Sequence, residues 1–268
     1  MKWARVAAIA FLIVVAVACL LANFVAPASY GHQFRDVPDA APSRQHLLGT
    51  DDLGRDRFSR LLYGTRVSLL LAPAAALLSG LLAALIGGTA GFVGGWVQRW
   101  VMAATDLFLS LPWLFLLITV RALLPLNVAP MTSVLITFAL LGCLGWAAAA
   151  RVVCADARAF GNSDFMLLAR ASGSGGFRLL WRHLLPNLKP VLYAQFWISI
   201  PVFILAEANL GILGLGVTEP LPSWGSLLRE LESFSAFSGQ PWQFVPLILF
   251  IVVVSCFHLA MQEQEFSA

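Results

Sequence analysis

Residues 67–93 read VSLLLAPAAALLSGLLAALIGGTAGFV, an apolar run without one charged side chain. A helix rising 1.5 Å per residue crosses ~30 Å of hydrocarbon in ~20 residues, so this run is long enough to span a bilayer. Five further blocks of the same kind flank it, at approximately 5–27, 100–124, 130–150, 190–217 and 243–261. No water reaches backbone N–H and C=O groups inside a membrane, so each block is predicted to be helix rather than strand. The fold class that follows is an all-α membrane protein with six transmembrane helices. Gly87, Gly91 and Gly95 recur every fourth residue, as do Gly80, Ala84 and Gly88. That spacing lets helix backbones approach where lipid supplies no hydrophobic drive for association.

Composition agrees with the blocks. Of 268 residues 59% are hydrophobic and only 12% charged, whereas soluble chains carry about 25% charged residues, which excludes an ordinary soluble domain. The first block follows Lys2 and Arg5 as a secretory leader would, but it is longer than a leader's apolar core and lacks a small-x-small cleavage site, so it reads as a retained helix. Placing Lys2 and Arg5 in the cytoplasm makes 28–66 external and 151–189 internal. The internal loop then holds Arg151, Arg158, Arg170, Arg178, Arg182 and Lys189 against Asp156 and Asp164, while the external one offsets six arginines with five aspartates. An even number of spans puts both termini inside.

Catalytic machinery is not expected. Cys19, Cys143 and Cys256 fall within apolar blocks and Cys154 beside one, and His32, His46, His183 and His258 are scattered without ligand spacing. Nothing resembles a nucleophile elbow, a zinc helix or a phosphate loop, so the chain is expected to be no enzyme, to bind no metal or cofactor and to carry no ATPase machinery of its own. Its expected surroundings are the lipid bilayer and protein partners, not nucleic acid.

The internal loop has a pattern of its own from Asn162 to Lys189, NSDFMLLARASGSGGFRLLWRHLLPNLK. Ser163 or Asp164 can cap a short helix over Phe165–Ser172, Gly173 can take the left-handed conformation that ends it, and Phe177–Leu185 makes a second helix stopped at Pro186. Two short helices meeting at a glycine corner form an elbow. The first presents Phe165, Leu168 and Ala169 on one face although the loop faces water, so something covers it: the membrane surface, a groove on a cytoplasmic partner, or the elbow itself.

Three other groups stand out. Asp106 lies near the inner end of its block and Glu207 deeper in another, and an acid in a bilayer costs ~2.5–3.5 kcal/mol unless it faces protein or water. Asp106 reads as paired or capped at the membrane edge, with a functional role as the alternative. Glu207 lines the translocation path, pairs with a partner, or is structural. Outside, Asp51, Asp52, Arg55 and Asp56 crowd together and either pair locally or form part of a docking vestibule.

These residues carry a resemblance. Ala169-Arg170-Ala171-Ser172-Gly173, nine residues, then His183-Leu184-Leu185-Pro186-Asn187 is similar to the coupling-loop signature of binding-protein-dependent ABC importer permeases, in the dipeptide, oligopeptide and nickel branch. His46 through Asp56, Ser59 through Leu69, Glu207-Ala208-Asn209-Leu210, Leu213-Gly214-Leu215-Gly216 and Pro222-Ser223-Trp224-Gly225 resemble the same branch in the same order, as do Asp106 and Pro112. The likeness covers roughly 46–228.

The resemblance implies a type I importer-like fold with a cytoplasmic coupling elbow, in the bacterial cytoplasmic (inner) membrane. The chain divides accordingly into an N-terminal helix and periplasmic segment (1–66), a five-helix permease core (67–261) and a cytoplasmic tail (262–268). Leu168, Ala169, Arg170, Gly173, Arg182, His183, Leu185 and Pro186 would engage the ATPase. Glu207, Asn209 and Asp106 would serve the translocation path or an inter-subunit contact. Gly49, Asp51, Asp52, Gly54, Arg55 and Asp56 would form a periplasmic gate or docking surface. The implied partners are a homologous permease making a heterodimer, two cytoplasmic ATPase subunits that bind the ATP, and a periplasmic or extracellular solute-binding protein. The solute would be a peptide, or nickel or another small solute.

Some positions depart from the family pattern. Leu167-Leu168-Ala169 stands where Glu-Ala-Ala or an aromatic version is usual, Cys154 where arginine is common, and Met261 to Phe266 lacks the usual Gly-Asp-x-x-Arg-Asp ending. Beside the importer permease stand an ATP-independent channel or secondary carrier, a membrane-embedded enzyme and a transport-inactive divergent paralogue. The elbow favours the first, because a carrier would show repeats and broken helices with intramembrane charges.

Overall fold

The structure, a computed structural model, describes residues 2–125, 127–232 and 240–261; the tail expected at 262–268 lies outside them. Apolar length dictates the elements. Helix α1 (Lys2–Leu20) is followed by a short helical piece at Ala22–Val25. Then come α2 (Arg57–Val93), α3 (Gly95–Ser110), α4 (Trp113–Leu123), α5 (Pro130–Gly161), α6 (Asp164–Ala171), α7 (Gly176–Ile212), α8 (Trp224–Arg229) and α9 (Val245–Met261). Among the described residues five helices are long and apolar enough to cross a membrane, six when α3 and α4 count as one bent span. Among the described residues there is no β-strand, only isolated bridges at Gln33–Arg55 and Thr50–Asp56.

Helix ends depart from the hydropathy blocks for local reasons. The block expected at 100–124 is broken: α3 and α4 meet at 84° across Leu111 and Pro112. Leu111 is extended (φ −75°, ψ 132°), the conformation that a following proline enforces. Helix α2 begins at Arg57 rather than at 67, because Asp56 accepts hydrogen bonds from the Ser59 N–H (2.7 Å) and Oγ (2.7 Å) and so caps the first turn. Pro186 does not stop the second elbow helix, which continues as α7 to Ile212. A π-turn over Leu180–Leu184 precedes the proline and widens the ladder where its missing N–H and ring would otherwise break it.

The chain forms two compact units, each drawn from several segments. The first comprises Met1–Ala72, Val120–Phe138 and Pro201–Ala268. In it α1 packs along α9, and Trp224 is enclosed, with its ring edge-on to Phe250 at 5.2 Å and its indole N–H donated to Thr65 Oγ1 at 2.8 Å. Gly211 of α7 and Gly225 of α8 meet backbone to backbone, so a side chain on either would overlap the other.

The second unit comprises Pro73–Thr119 and Ala139–Ile200. Its seam is the contact of α2 with α5: a Cβ on Gly87 would overlap the Ala150 carbonyl, and one on Gly91 the Cys154 carbonyl, with the Ala157 methyl at 2.8 Å. Gly87 and Gly91 therefore act as the fourfold spacing predicts, whereas Gly80 has open space around it. Below the seam Met166, Leu179, Leu184 and Leu188 bury themselves against Ala149, Val153 and Ala157.

Candidate functional site

The elbow belongs to the second unit. Ser163 takes the extended cap conformation and its carbonyl accepts the Met166 and Leu167 N–H groups at 3.0 Å each, while Asp164 sits in the first turn, where a carboxylate suits the helix dipole. The Ser163 hydroxyl turns back to the Phe160 carbonyl instead of capping α6. At the other end Gly173 adopts φ +81°, its N–H bonds the Arg170 carbonyl (3.0 Å) and the Ser174 N–H bonds that of Ala169 (3.2 Å). This is a Schellman closure, for which glycine is the residue that fits.

The elbow is two-sided. Met166, Leu179 and Leu184 point into the core and Ala169 packs at its edge. Phe165, Leu168, Phe177 and Trp181 are exposed, Leu168 by 71% and Phe177 by 77%, and Phe177 and Trp181 stand ring by ring at 6.1 Å. Of the other candidates, Arg170, Gly173, Arg182 and Pro186 are exposed, and His183 and Leu185 half-buried. Arg170 lays its guanidinium over the Phe92 ring at 5.7 Å, so part of its charge is already engaged within the unit. Asp106 also lies in this unit and pairs with Arg151 at 3.2 Å, both side chains being more than half exposed.

The first unit holds the charged cluster that precedes α2. Gly49 (φ +72°) and Gly54 (φ +73°) turn the chain tightly enough for Asp51 to accept from its neighbours: the Leu53 N–H at 3.0 Å, the Arg55 N–H at 2.7 Å and the Arg55 side chain at 2.6 Å. Asp56, besides capping α2, holds His46 Nδ1 at 3.0 Å. Among Asp51, Asp52 and Asp56, Asp52 alone is exposed. The local pairing expected for these charges is only half the arrangement, because Glu219 and Glu230 close it from far along the chain. Arg60, fully buried, reaches Glu219 at 3.0 Å, Glu230 at 2.9 Å and Asp51 at 3.6 Å. Arg55 also donates to Glu219, and Arg57 to Glu230 at 3.0 Å. Partial burial works to raise the Glu219 carboxyl, but the hydrogen bond and charge of Arg60, with Arg55, hold it below the ordinary value. Burial pushes Glu230 the other way, above it, against the pull of Arg60 and Arg57.

Glu207 is enclosed in the same unit, where the Ser68 hydroxyl donates to Oε2 at 3.2 Å, while Asn209 two residues on is exposed. Glu207 and Asn209 therefore do not share a face, and Asp106 belongs to the other unit. A further buried cation escapes the sequence reading: Arg121 donates to Ser133 Oγ (3.2 Å) and to the carbonyls of Gly216 (3.4 Å) and Pro125 (3.3 Å). It could have been found as an arginine lying within the 100–124 apolar block, whereas nothing in the spacing links Arg60 to Glu219 or Glu230.

Residues 77–263 match the profile of the family described as binding-protein-dependent transport system inner membrane component. The chain is 36% identical over 256 residues to a dipeptide transport system permease protein of Escherichia coli K12, covering 93% of this chain and 83% of that one. It is 30% identical over 207 residues to a putative peptide permease protein of Brucella suis, covering 77% and 67%. Against an oligopeptide transport system permease protein of Bacillus subtilis it is 30% identical over 205 residues, covering 76% and 65%.

Proposed function

The chain belongs to the family of binding-protein-dependent transport system inner membrane components, and we infer that it is the membrane-spanning permease subunit of an ATP-driven importer of peptides. The observation that carries the reading is the elbow, which buries one face in its own unit and leaves the other, built of Leu168, Phe177 and Trp181, apolar and uncovered. A groove on a cytoplasmic ATPase subunit is the occupant consistent with the family, with Arg182 at its rim and Gly173 setting the angle between α6 and α7. ATP closure of two such subunits would move the elbow and the helices packed on it as one body. ATP is bound by those subunits, not by this chain.

The remaining partners follow from the same reading. A homologous permease supplies the other half of the path, and an external solute-binding protein delivers the solute to the face carrying Asp51, Asp52, Arg55 and Asp56. Lys2 and Arg5 place the N-terminus in the cytoplasm, and six spans return the C-terminus to that side. Glu207, held by Ser68, braces α7 against α2, and the exposed Asn209 beside it faces the path or the partner permease. The peptide solute is supported by the names of the three relatives given above, a dipeptide, an oligopeptide and a putative peptide permease protein.

The test is ATP-dependent uptake of a labelled dipeptide by the assembled complex, with Gly173→Leu as the variant. Leucine at φ +81° is strained by about 1 kcal/mol or more and redirects the elbow. Uptake is expected to vanish while membrane insertion persists. Normal uptake by the variant would remove the elbow from the mechanism, and no uptake by the natural chain would leave a transport-inactive paralogue.

A further inference from the structure

The charged cluster of the first unit flanks a half-open cavity of about 240 Å³ lined by charges of both signs. Asp52, Arg55, Glu219, Arg229 and Glu230 contribute its polar wall and Gly214 part of its backbone wall. Most of these charges are already matched. Arg55, Arg57 and Arg60 are neutralised by Asp51, Glu219 and Glu230 through the ion pairs given above. One carboxylate, Asp52, and one guanidinium, Arg229, remain; both are exposed, and neither forms an ion pair among the described residues.

Arg229 is placed by the backbone. Gly214 adopts φ +75°, and a Cβ there would stand 3.1–3.3 Å from three guanidinium atoms of Arg229, so the side chain lies across a glycine that has nothing to push it away. Behind the same turn the buried Arg121 and Ser133 both bond the Gly216 carbonyl, which holds the Gly214–Gly216 segment in place. A cation set on a wall of this kind loses little freedom when a ligand arrives.

Resting on the reading of the chain as an importer permease, we propose that this cavity binds a small zwitterionic solute, its ammonium group at Asp52 and its carboxylate at Arg229. A plain anion or a plain cation would leave one of the two charges unanswered. A volume below the ~300–1,000 Å³ of pockets for larger ligands suits a dipeptide or one terminus of a longer peptide. The cavity thus selects for free peptide termini on the permease itself, independently of any solute-binding protein.

The experiment uses the full complex in lipid nanodiscs without the solute-binding protein, with L-alanyl-L-alanine as probe and saturation-transfer NMR as readout. Saturable transfer is expected to the dipeptide and not to its N-acetylated, C-amidated form. Arg229→Gln is expected to weaken binding of the free dipeptide by at least about tenfold, the loss of one charge-assisted hydrogen bond, and to leave binding of the C-amidated dipeptide unchanged. Asp52→Asn is expected to weaken both, because each keeps its ammonium group. Both side chains are exposed, so neither substitution empties a core. Absent transfer, equal transfer to the doubly blocked peptide, or undiminished binding in Arg229→Gln overturns the proposal. ATP-dependent uptake is measured on the same complex reconstituted into sealed liposomes with the solute-binding protein added: uptake without transfer removes the cavity and keeps the permease, and transfer without uptake does the reverse.

Discussion

Replacing Leu168 and Phe177 together by serine tests what the elbow is for. Both side chains point away from the core, 71% and 77% exposed, so the fold of the second unit is left intact. Full burial of such a side chain contributes ~1.5–3 kcal/mol, and taking the fractions still exposed gives about 2–4 kcal/mol for the pair when a partner covers them. At 1.4 kcal/mol per factor of ten that is roughly 30- to 1,000-fold in affinity for the ATPase subunit. The assay is co-purification from membranes, followed by titration of the purified ATPase subunit onto the nanodisc-held permease. Circular dichroism and the thermal midpoint are expected to stay where they are while the dissociation constant rises by that factor. An unchanged dissociation constant, with the variant folded, would mean that the exposed face of the elbow is not what the motor grips, and the coupling argument would fail.

Three other outcomes follow from the packing. Gly91→Ala places a methyl against the Cys154 carbonyl and the Ala157 side chain and is expected to cost about 1–3 kcal/mol, whereas Gly80→Ala meets nothing and is expected to be neutral; thermal unfolding in nanodiscs separates the two. Arg60→Leu takes one cation from the buried Glu230 and Asp51, which keep Arg57 and Arg55 as partners, and from half-exposed Glu219, so the expected cost lies at or below the ~3 kcal/mol lower end for broken buried pairs; Arg60→Leu with Glu230→Leu should recover part of that loss, and failure to do so would argue against the ion pair. Acidification loosens the same cluster through Glu219. Its folded value lies below the ordinary 4.5, so its contribution is complete above 4.5 and lost as pH falls through the folded value; Glu219→Gln is expected to flatten that part of the stability-versus-pH curve.

The spans were legible because hydropathy sums over ~20 residues and tolerates local irregularity. Their ends were not, because single polar contacts decide them. Arg57 and Arg60 read as loop residues, yet they open α2, made tolerable there by Glu219 and Glu230, whose distance along the chain no periodicity encodes. The corner at Gly173 was readable, since a left-handed closure selects glycine, but Pro186 misled: the local rule that proline ends a helix does not include the π-turn ahead of it. Leu111 before Pro112 carried a usable signal for the 84° break, overridden by the unbroken apolar run around it. Asp106 has an ion-pair partner in Arg151, as the paired reading expects, while Glu207 and Asn209, two residues apart on one helix, face different surroundings.

The touching backbones of α2 and α5 have a mechanical corollary. Side chains between two helices act as a compliant layer that absorbs small shifts by changing rotamer; at Gly87 and Gly91 that layer is missing. A displacement entering through α5 is therefore handed to α2 without backlash, in the manner of meshed gears rather than cushioned plates.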